Sequence, residues 1–262
     1  MSPLREGWGE VEARGTRLRF LVAGRPNLEP PLLLLPSLGG GAAHWGVFGE
    51  RLGQQRQTIA IDPPGFGGSS PLPLTSTRRL AGDLCAAVEL LGLRRFDLFG
   101  CSWGALLATH LAHLAHPRVA HLVLASAAAR GRDFSPRPRI AWRLLRDFVA
   151  NSHPKPAVAR DLAADSRVGP SQVAAPGWSR SRLLKLVVVA WAHDARRELP
   201  SLTMPSLVLH GQRDVLLDAT AQARLVQPLP RASYRELTGV GHDLVNEAPD
   251  ASAALIEDFL RR

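Results

Sequence analysis

At 262 residues, 45% hydrophobic and 21% charged, the chain is long enough to bury one sizeable core and has the balance of a globular protein. Two cysteines, Cys85 and Cys101, are too few for a disulfide framework or a structural zinc site. No stretch reaches the ~18 apolar residues of a membrane span. The net charge of +9 raises nucleic acid as a partner, but nearly all of the excess lies in residues 130–198, which hold 14 Lys+Arg against 6 Asp+Glu. With no RNP motif, zinc-finger spacing or compact basic run, neither a nucleic-acid nor a membrane partner is expected. The opening "MSPLREGWGEVEARG" lacks the apolar core of a secretory signal, so a cytoplasmic location is the expectation.

Short apolar runs alternate with helical patterns along most of the chain, which predicts an α/β domain with a mostly parallel sheet. "RLRFLVAG" and "PLLLLP" read as early strands, the second buried on both faces. "QTIAID" is the next strand and ends in the turn-rich "PPGFGGSSPLP". "TRRLAGDLCAAVELLGL" has helical spacing and stops at Gly92; "RFDLFG" is a strand, "GALLATHLAHLAH" a helix and "VAHLVLAS" a strand. From about 130 to 199 the pattern changes to Arg-, Pro- and Trp-rich helical pieces such as "RIAWRLLRDFVA" and "SRLLKLVVVAWAHDA", which predict a helical insertion. Strand–helix alternation resumes in "PSLVLHG", "LLDATAQARLV", "ASYREL" and "PDASAALIEDFLR".

The chemistry-bearing segments all fall just beyond the carboxyl ends of predicted strands, where open parallel sheets carry their functional groups. "FDLFGCSWGALLATHLA" runs from strand through Gly-x-Ser-x-Gly into helix, with Gly100, Ser102 and Gly104 in the pattern positions. That is a nucleophile elbow: the central residue is lifted out of the sheet on a tight turn, beside helix N–H groups that favour negative charge. Ser102 is raised and Cys101 is one residue off, so Ser102 is the candidate nucleophile and Cys101 a packed residue. "LLLLPSLGGGAAHW" brings a Gly-rich loop after a buried strand, and the N–H groups of Leu38 and Trp103 form a candidate oxyanion hole. "LVLHGQRDVLLD" presents Asp214 and "LTGVGHDLVNEAPD" presents His242.

The remaining histidines and aromatics carry weaker signals. His110, His113 and His116 recur every third residue on one helix, with His121 beyond, and no carboxylate completes a metal set, so a partly buried or helix-end role is expected and no metal site. His44 and Trp45 either line the substrate pocket or cap and pack the next helix. Trp142, Phe148 and Trp191 of the insertion are candidate pocket residues, His210 reads as structural, and Asp133 lies too far into the insertion to compete with Asp214.

The order Ser102, Asp214, His242, the elbow, and the "DPPGFGGSS" turn with Asp62, Gly65, Gly67 and Ser69 resemble the α/β-hydrolase fold superfamily over essentially the whole chain. The resemblance implies an eight-stranded, mostly parallel sheet flanked by helices, with residues 1–129 and 200–262 as core and 130–199 as a helical cap. It implies a capped serine esterase or lactonase in which His242 takes the Ser102 proton, Asp214 orients the imidazole, and no metal or organic cofactor takes part. Pro36–Ser37 stands where many members have His-Gly, and "SLGGGAAHW" is closer to the Ser-Leu-Gly…Trp loop of enol-lactone hydrolases. Thioesterases, C–C bond hydrolases and a ligand-binding protein that retains the fold are the alternatives on this scaffold.

Overall fold

The computed structural model describes residues 4–38, 40–135 and 180–262. Eight strands form one sheet: β1 (Gly7–Ala13), β2 (Thr16–Ala23), β3 (Leu32–Leu35), β4 (Thr58–Ile61), β5 (Phe96–Cys101), β6 (Val119–Ala125), β7 (Ser206–Gly211) and β8 (Ala232–Leu237). Their spatial order is β1-β2-β4-β3-β5-β6-β7-β8. β1 and β2 are antiparallel and β2 meets β4 antiparallel, while every pairing from β4 through β8 is parallel. The central strands β3, β4, β5 and β7 are buried at every position, which is why they read as unbroken apolar runs.

β1 carries no such signal. It is an edge strand in which only Ala13 is fully buried, and Gly9 lies against the Phe20 ring, where a Cβ would come within 2.4 Å of it. The strand forms because β2 supplies a full antiparallel register, from Gly7↔Val22 to Ala13↔Thr16.

Helices cover both faces. On one face α2 (Thr77–Leu90), capped by Ser76 Oγ accepting from Arg79 N–H at 3.2 Å, packs beside α3 (Trp103–Leu114). On the other, α1 (Gly46–Gln55) packs against the C-terminal helix, Pro249–Leu260. Two buried clusters result, one on each side of the sheet, the first including Leu33, Leu98 and Leu107, the second Leu34, Phe99 and Ile256. Helix α4 (Arg180–Trp191) turns Leu186 and Val189 into the first cluster. The segment after β6 and the segment after α4 meet where Arg130 bridges Asp194 and Gly131 N–H donates to His193 C=O at 2.9 Å. Residues 130–131 and 193–194 are thereby held together. Among the described residues, no helix is long and apolar enough to cross a membrane.

At the amino end of β5 an ion pair is buried within the sheet. Asp97, with no exposed side-chain surface, receives Arg56 Nη1 at 2.5 Å on one oxygen and faces His121 Nδ1 at 2.8 Å on the other. Asp97→Ala removes the close partner of the buried Arg56 charge and leaves only half-exposed Glu29 at 4.0 Å, so it should lower unfolding stability by about 3–5 kcal/mol. Urea titration followed by circular dichroism checks this, and a loss within the range of ordinary surface substitutions would count against it.

Candidate active site

Three loops converge at the carboxyl edge of the sheet. β5 ends at Cys101, and Ser102 turns the chain into α3 with φ +50 and ψ −113. That positive φ is costly for a residue with a Cβ, on the order of 1–3 kcal/mol, and it is held by Ser102 N–H donating to Ala125 C=O of β6 at 2.8 Å. The two elbow glycines are required by contact. A Cβ at Gly104 would stand 2.2 Å from the Leu35 carbonyl oxygen, and one at Gly100 would stand 2.7 Å from the Ala108 Cβ. This close approach also brings the start of the loop carrying Leu38 against the elbow.

Ser102 Oγ lies 2.8 Å from His242 Nε2, and His242 Nδ1 lies 2.8 Å from Asp214 Oδ2. A nitrogen facing a carboxylate must carry the ring proton, which leaves Nε2 to accept from the serine hydroxyl. Asp214 has no exposed side-chain surface, and its other oxygen accepts from Leu216 N–H at 2.8 Å and Leu217 N–H at 3.1 Å. Burial works to raise its pKa, but the His242 charge and hydrogen bond and the two backbone donors outweigh it and leave the carboxyl below its ordinary value. For His242, burial works to lower the pKa, and Asp214, with lesser help from Asp243 and Glu247, outweighs it, so the imidazole is raised above the ordinary histidine value.

The loops that hold this row are themselves tied down. A Cβ at Gly211 would stand 2.0 Å from Gly241 C=O, so the Asp214 and His242 loops touch backbone to backbone. Glu247 clasps the histidine loop by accepting from Gly241 N–H at 2.8 Å and Asp243 N–H at 3.1 Å. Ser126, which directly follows β6 with φ +49, donates its hydroxyl to His242 C=O at 2.5 Å. Asp62 joins the loop after β3 to the turn after β4, accepting from Ala42 N–H at 2.5 Å and Gly68 N–H at 3.1 Å. The sequence pattern pointed to Asp62 but not to Ser126, whose partner is a backbone atom 116 positions along the chain, nor to Glu247, whose backbone partners lie four and six positions before it.

The other expected residues divide. Cys101 is buried in the second cluster, and burial, with Asp243 and Asp214 nearby, pushes its thiol well above the ordinary value, which keeps it protonated and unreactive. Trp103 is buried at the first position of α3, where its N–H has no intrahelical acceptor. Its ring packs on Phe66 and its indole Nε1–H donates to Leu186 C=O of α4 at 3.2 Å. Leu38 lies in the turn after β3 with its side chain exposed. Trp45 is a core residue: its ring packs between Phe48 and Phe99 rather than standing on an open wall. His44 lies in the short 3-10 helix that leads into α1. Trp191, at the end of α4, is 55% exposed with Arg132 over its ring; Trp142 and Phe148 lie outside the described residues.

The histidine ladder does not lie on one helix, since His110 and His113 are on α3 and His116 opens the 3-10 turn after it, and its role is mechanical. His113 and His116 hydrogen-bond Ser201 and Thr203 at 2.9 Å each, and His110 stands 3.5 Å from Glu198, so the ladder clasps the segment that returns the chain to β7. Asp133 is engaged by Arg130 and Arg224, away from His242. Among the described residues, no group of three or more His, Cys, Asp or Glu side chains is placed to hold a metal.

A serine on a strained strand-to-helix turn, facing a histidine and a buried carboxylate from the two following loops, defines a hydrolase-type site on an α/β sheet. A family model described as the alpha/beta hydrolase fold matches residues 30–165, and the chain belongs to that family. A poly(3-hydroxyalkanoate) depolymerase of Ectopseudomonas oleovorans is 27% identical over 271 residues, spanning 96% of this chain and 92% of the relative. Two solved structures share the fold. The enol-lactonase of Burkholderia xenovorans superposes with a TM-score of 0.82 at 22% identity, over 97% of this chain and 100% of that one. An esterase of Exiguobacterium antarcticum gives 0.82 at 18%, over 98% and 100%.

The raised His242 pKa gives a signed expectation. Only the neutral imidazole can accept the serine proton, so reactivity of Ser102 should fall as the pH drops through a midpoint above the ordinary histidine value of about 6.5. The rate of Ser102 modification by a fluorophosphonate, followed from about pH 4.5 to 9, checks this; a profile flat across that range would require a different base.

Proposed function

We propose that the protein is a serine hydrolase that cleaves carboxylic esters of small to medium, largely apolar acyl groups through an acyl-enzyme. The observation that carries the reading is the continuous row from Ser102 Oγ to His242 to Asp214, with 2.8 Å at each step. Ser102 Oγ attacks the acyl carbonyl as its proton passes to His242 Nε2, and Asp214 stabilises the imidazolium that forms. The developing oxyanion is received by the N–H groups of Trp103 and Leu38. Collapse breaks the bond to the alcohol, which leaves with the His242 proton. Water, deprotonated by the same imidazole, then attacks the acyl-enzyme and releases the acid and free Ser102.

Residues 130–199 form the cap over this site in our reading. Its support is the way α4 is fastened at the rim: Leu186 C=O to the Trp103 indole, the Arg182 guanidinium to Gly65 C=O, and Lys185 to Leu72 C=O at 3.4 Å. A cyclic ester is the second substrate form to consider, favoured by the "SLGGGAAHW" loop and by the shared fold with an enol-lactonase. Both are the same acyl transfer, differing only in whether the leaving alcohol stays tethered.

Ser102→Ala and His242→Ala should each lower turnover by roughly 10⁴-fold or more, and Asp214→Asn by less but still by orders of magnitude. A chain-length panel of p-nitrophenyl esters, lactones and acyl thioesters, run with Ser102→Ala as control, tests the reading. Preference for thioesters over matched esters, or ester turnover that survives in Ser102→Ala, would overturn it.

A further inference from the structure

We propose that His210 is a positioning residue of the same relay, presenting its Nε2–H to the Asp214 carboxylate and so fixing the orientation and charge of the acid behind His242. The proposal rests on the reading of Ser102, His242 and Asp214 given above. His210 is the penultimate residue of β7, buried and four positions before Asp214. Its Nε2 lies 3.7 Å from Asp214 Oδ2, the same oxygen that receives His242 Nδ1–H, and no hydrogen bond satisfies that buried Nε2. At 3.7 Å the contact is a charge–dipole contact rather than a hydrogen bond, in a buried site where solvent screens it little.

The neighbours of His210 determine which nitrogen carries its proton. The β7–β8 register pairs Val208 with Tyr234 and His210 with Glu236, and the period of two puts all three polar side chains on one face. His210 Nδ1 lies 3.1 Å from the Tyr234 hydroxyl and 3.8 Å from Glu236, and that hydroxyl is 3.3 Å from Glu236 Oε2. When Tyr234 donates to Nδ1, the ring proton must sit on Nε2, facing Asp214. When the ring carries two protons, Nδ1–H goes to Tyr234, whose own proton goes to Glu236, and Nε2–H still faces Asp214. A neutral ring with Nδ1–H donating to a Tyr234 hydroxyl that donates on to Glu236 would set the Nε2 lone pair against the carboxylate, and the Asp214 charge itself disfavours that tautomer. A polar row thus runs from half-exposed Glu236 through Tyr234, His210, Asp214 and His242 to Ser102.

The sign of the effect follows. A donor beside Asp214 partly offsets the pull of that carboxylate on the His242 imidazolium. The groups facing His242 are Asp214, Asp243, Glu247, the Ser102 hydroxyl and the Phe134 ring edge; those facing His210 are Asp214, Tyr234 and Glu236. Removing the His210 N–H strengthens the pull and moves the acid limb of Ser102 reactivity to higher pH.

The test is the pH dependence of fluorophosphonate labelling of Ser102 in the wild type, His210→Phe, His210→Gln and Tyr234→Phe. His210→Phe should raise the midpoint by about half a pH unit and slow the plateau rate severalfold. His210→Gln, whose amide N–H has a similar reach, should return the midpoint toward wild type, and Tyr234→Phe should shift it in the same direction as His210→Phe. Midpoints that stay fixed or fall in both Phe variants, with normal Ser102 labelling of the wild type, would overturn the role of His210 and leave the triad standing. If circular dichroism shows His210→Phe unfolded, the direction of the Tyr234→Phe shift decides alone. A wild type that gives no Ser102 adduct, or His242→Ala that labels as fast as wild type, would overturn the triad and the role of His210 with it.

Discussion

One backbone conformation organises the site: Ser102 held at φ +50 between the last residue of β5 and the first turn of α3. In that conformation the hydroxyl leaves the plane of the sheet, and the first N–H groups of a helix stand beside it without intrahelical acceptors. The conformation persists because both neighbouring strands fix β5. β3 pairs along it from Leu32↔Asp97 to Leu35↔Gly100, and β6 pairs on the other side to Cys101↔Ala125. The turn then fits only where side chains are missing, which makes Gly100 and Gly104 as necessary to the geometry as Ser102 itself. Strain at one residue is balanced by pairing over the length of two strands.

The other half of the site is built from loops rather than from a strained turn. Asp214 is buried, so its charge has to be satisfied by protein groups, and Leu216 N–H, Leu217 N–H and His242 do so. The histidine loop has no regular structure to hold it and is fastened at three points: the backbone contact with Gly211, the Glu247 carboxylate, and the Ser126 hydroxyl. The first and third connect residues distant in sequence, whereas Glu247 closes its own loop over four and six positions. Substitutions at Ser126 therefore act on the position of His242, while those at Glu247 and, more strongly, Asp214 act on its charge as well.

The basic middle of the chain is less of a bare positive field than its composition implies. Within its described part, Arg130 is paired with Asp133, Arg196 with Asp194, and Arg182 reaches a backbone carbonyl. The arginines there work as fasteners between helix α4, the Gly-rich turn after β4 and the end of β6. His113 of α3 and His116 just beyond it continue the same task on the return path toward β7.

Much of this was legible in the residues themselves. Buried parallel strands must be apolar on both faces, so β3 to β7 announce themselves. Glycines at fixed offsets from a serine mark a turn that only glycines permit, and loops at the carboxyl ends of strands marked Asp214 and His242 as candidates. The edge strand β1 was not legible, because its stability comes from pairing with β2 and its Gly9 yields space to Phe20 instead of adding an apolar side chain. Trp45 shows the opposite limit: an aromatic next to a functional loop is equally compatible with pocket and core, and only the positions of Phe48 and Phe99 decide for the core. His210 read as structural for the same reason, since its distance to Asp214 depends on how β7 ends and on the β8 register that brings Tyr234 alongside. Local patterns determine which residue types stand at strand ends and turns, because those requirements are steric and act within a few residues. Distances of 2.8 Å between side chains 140 and 28 positions apart are decided by strand order and loop packing, which no local pattern encodes.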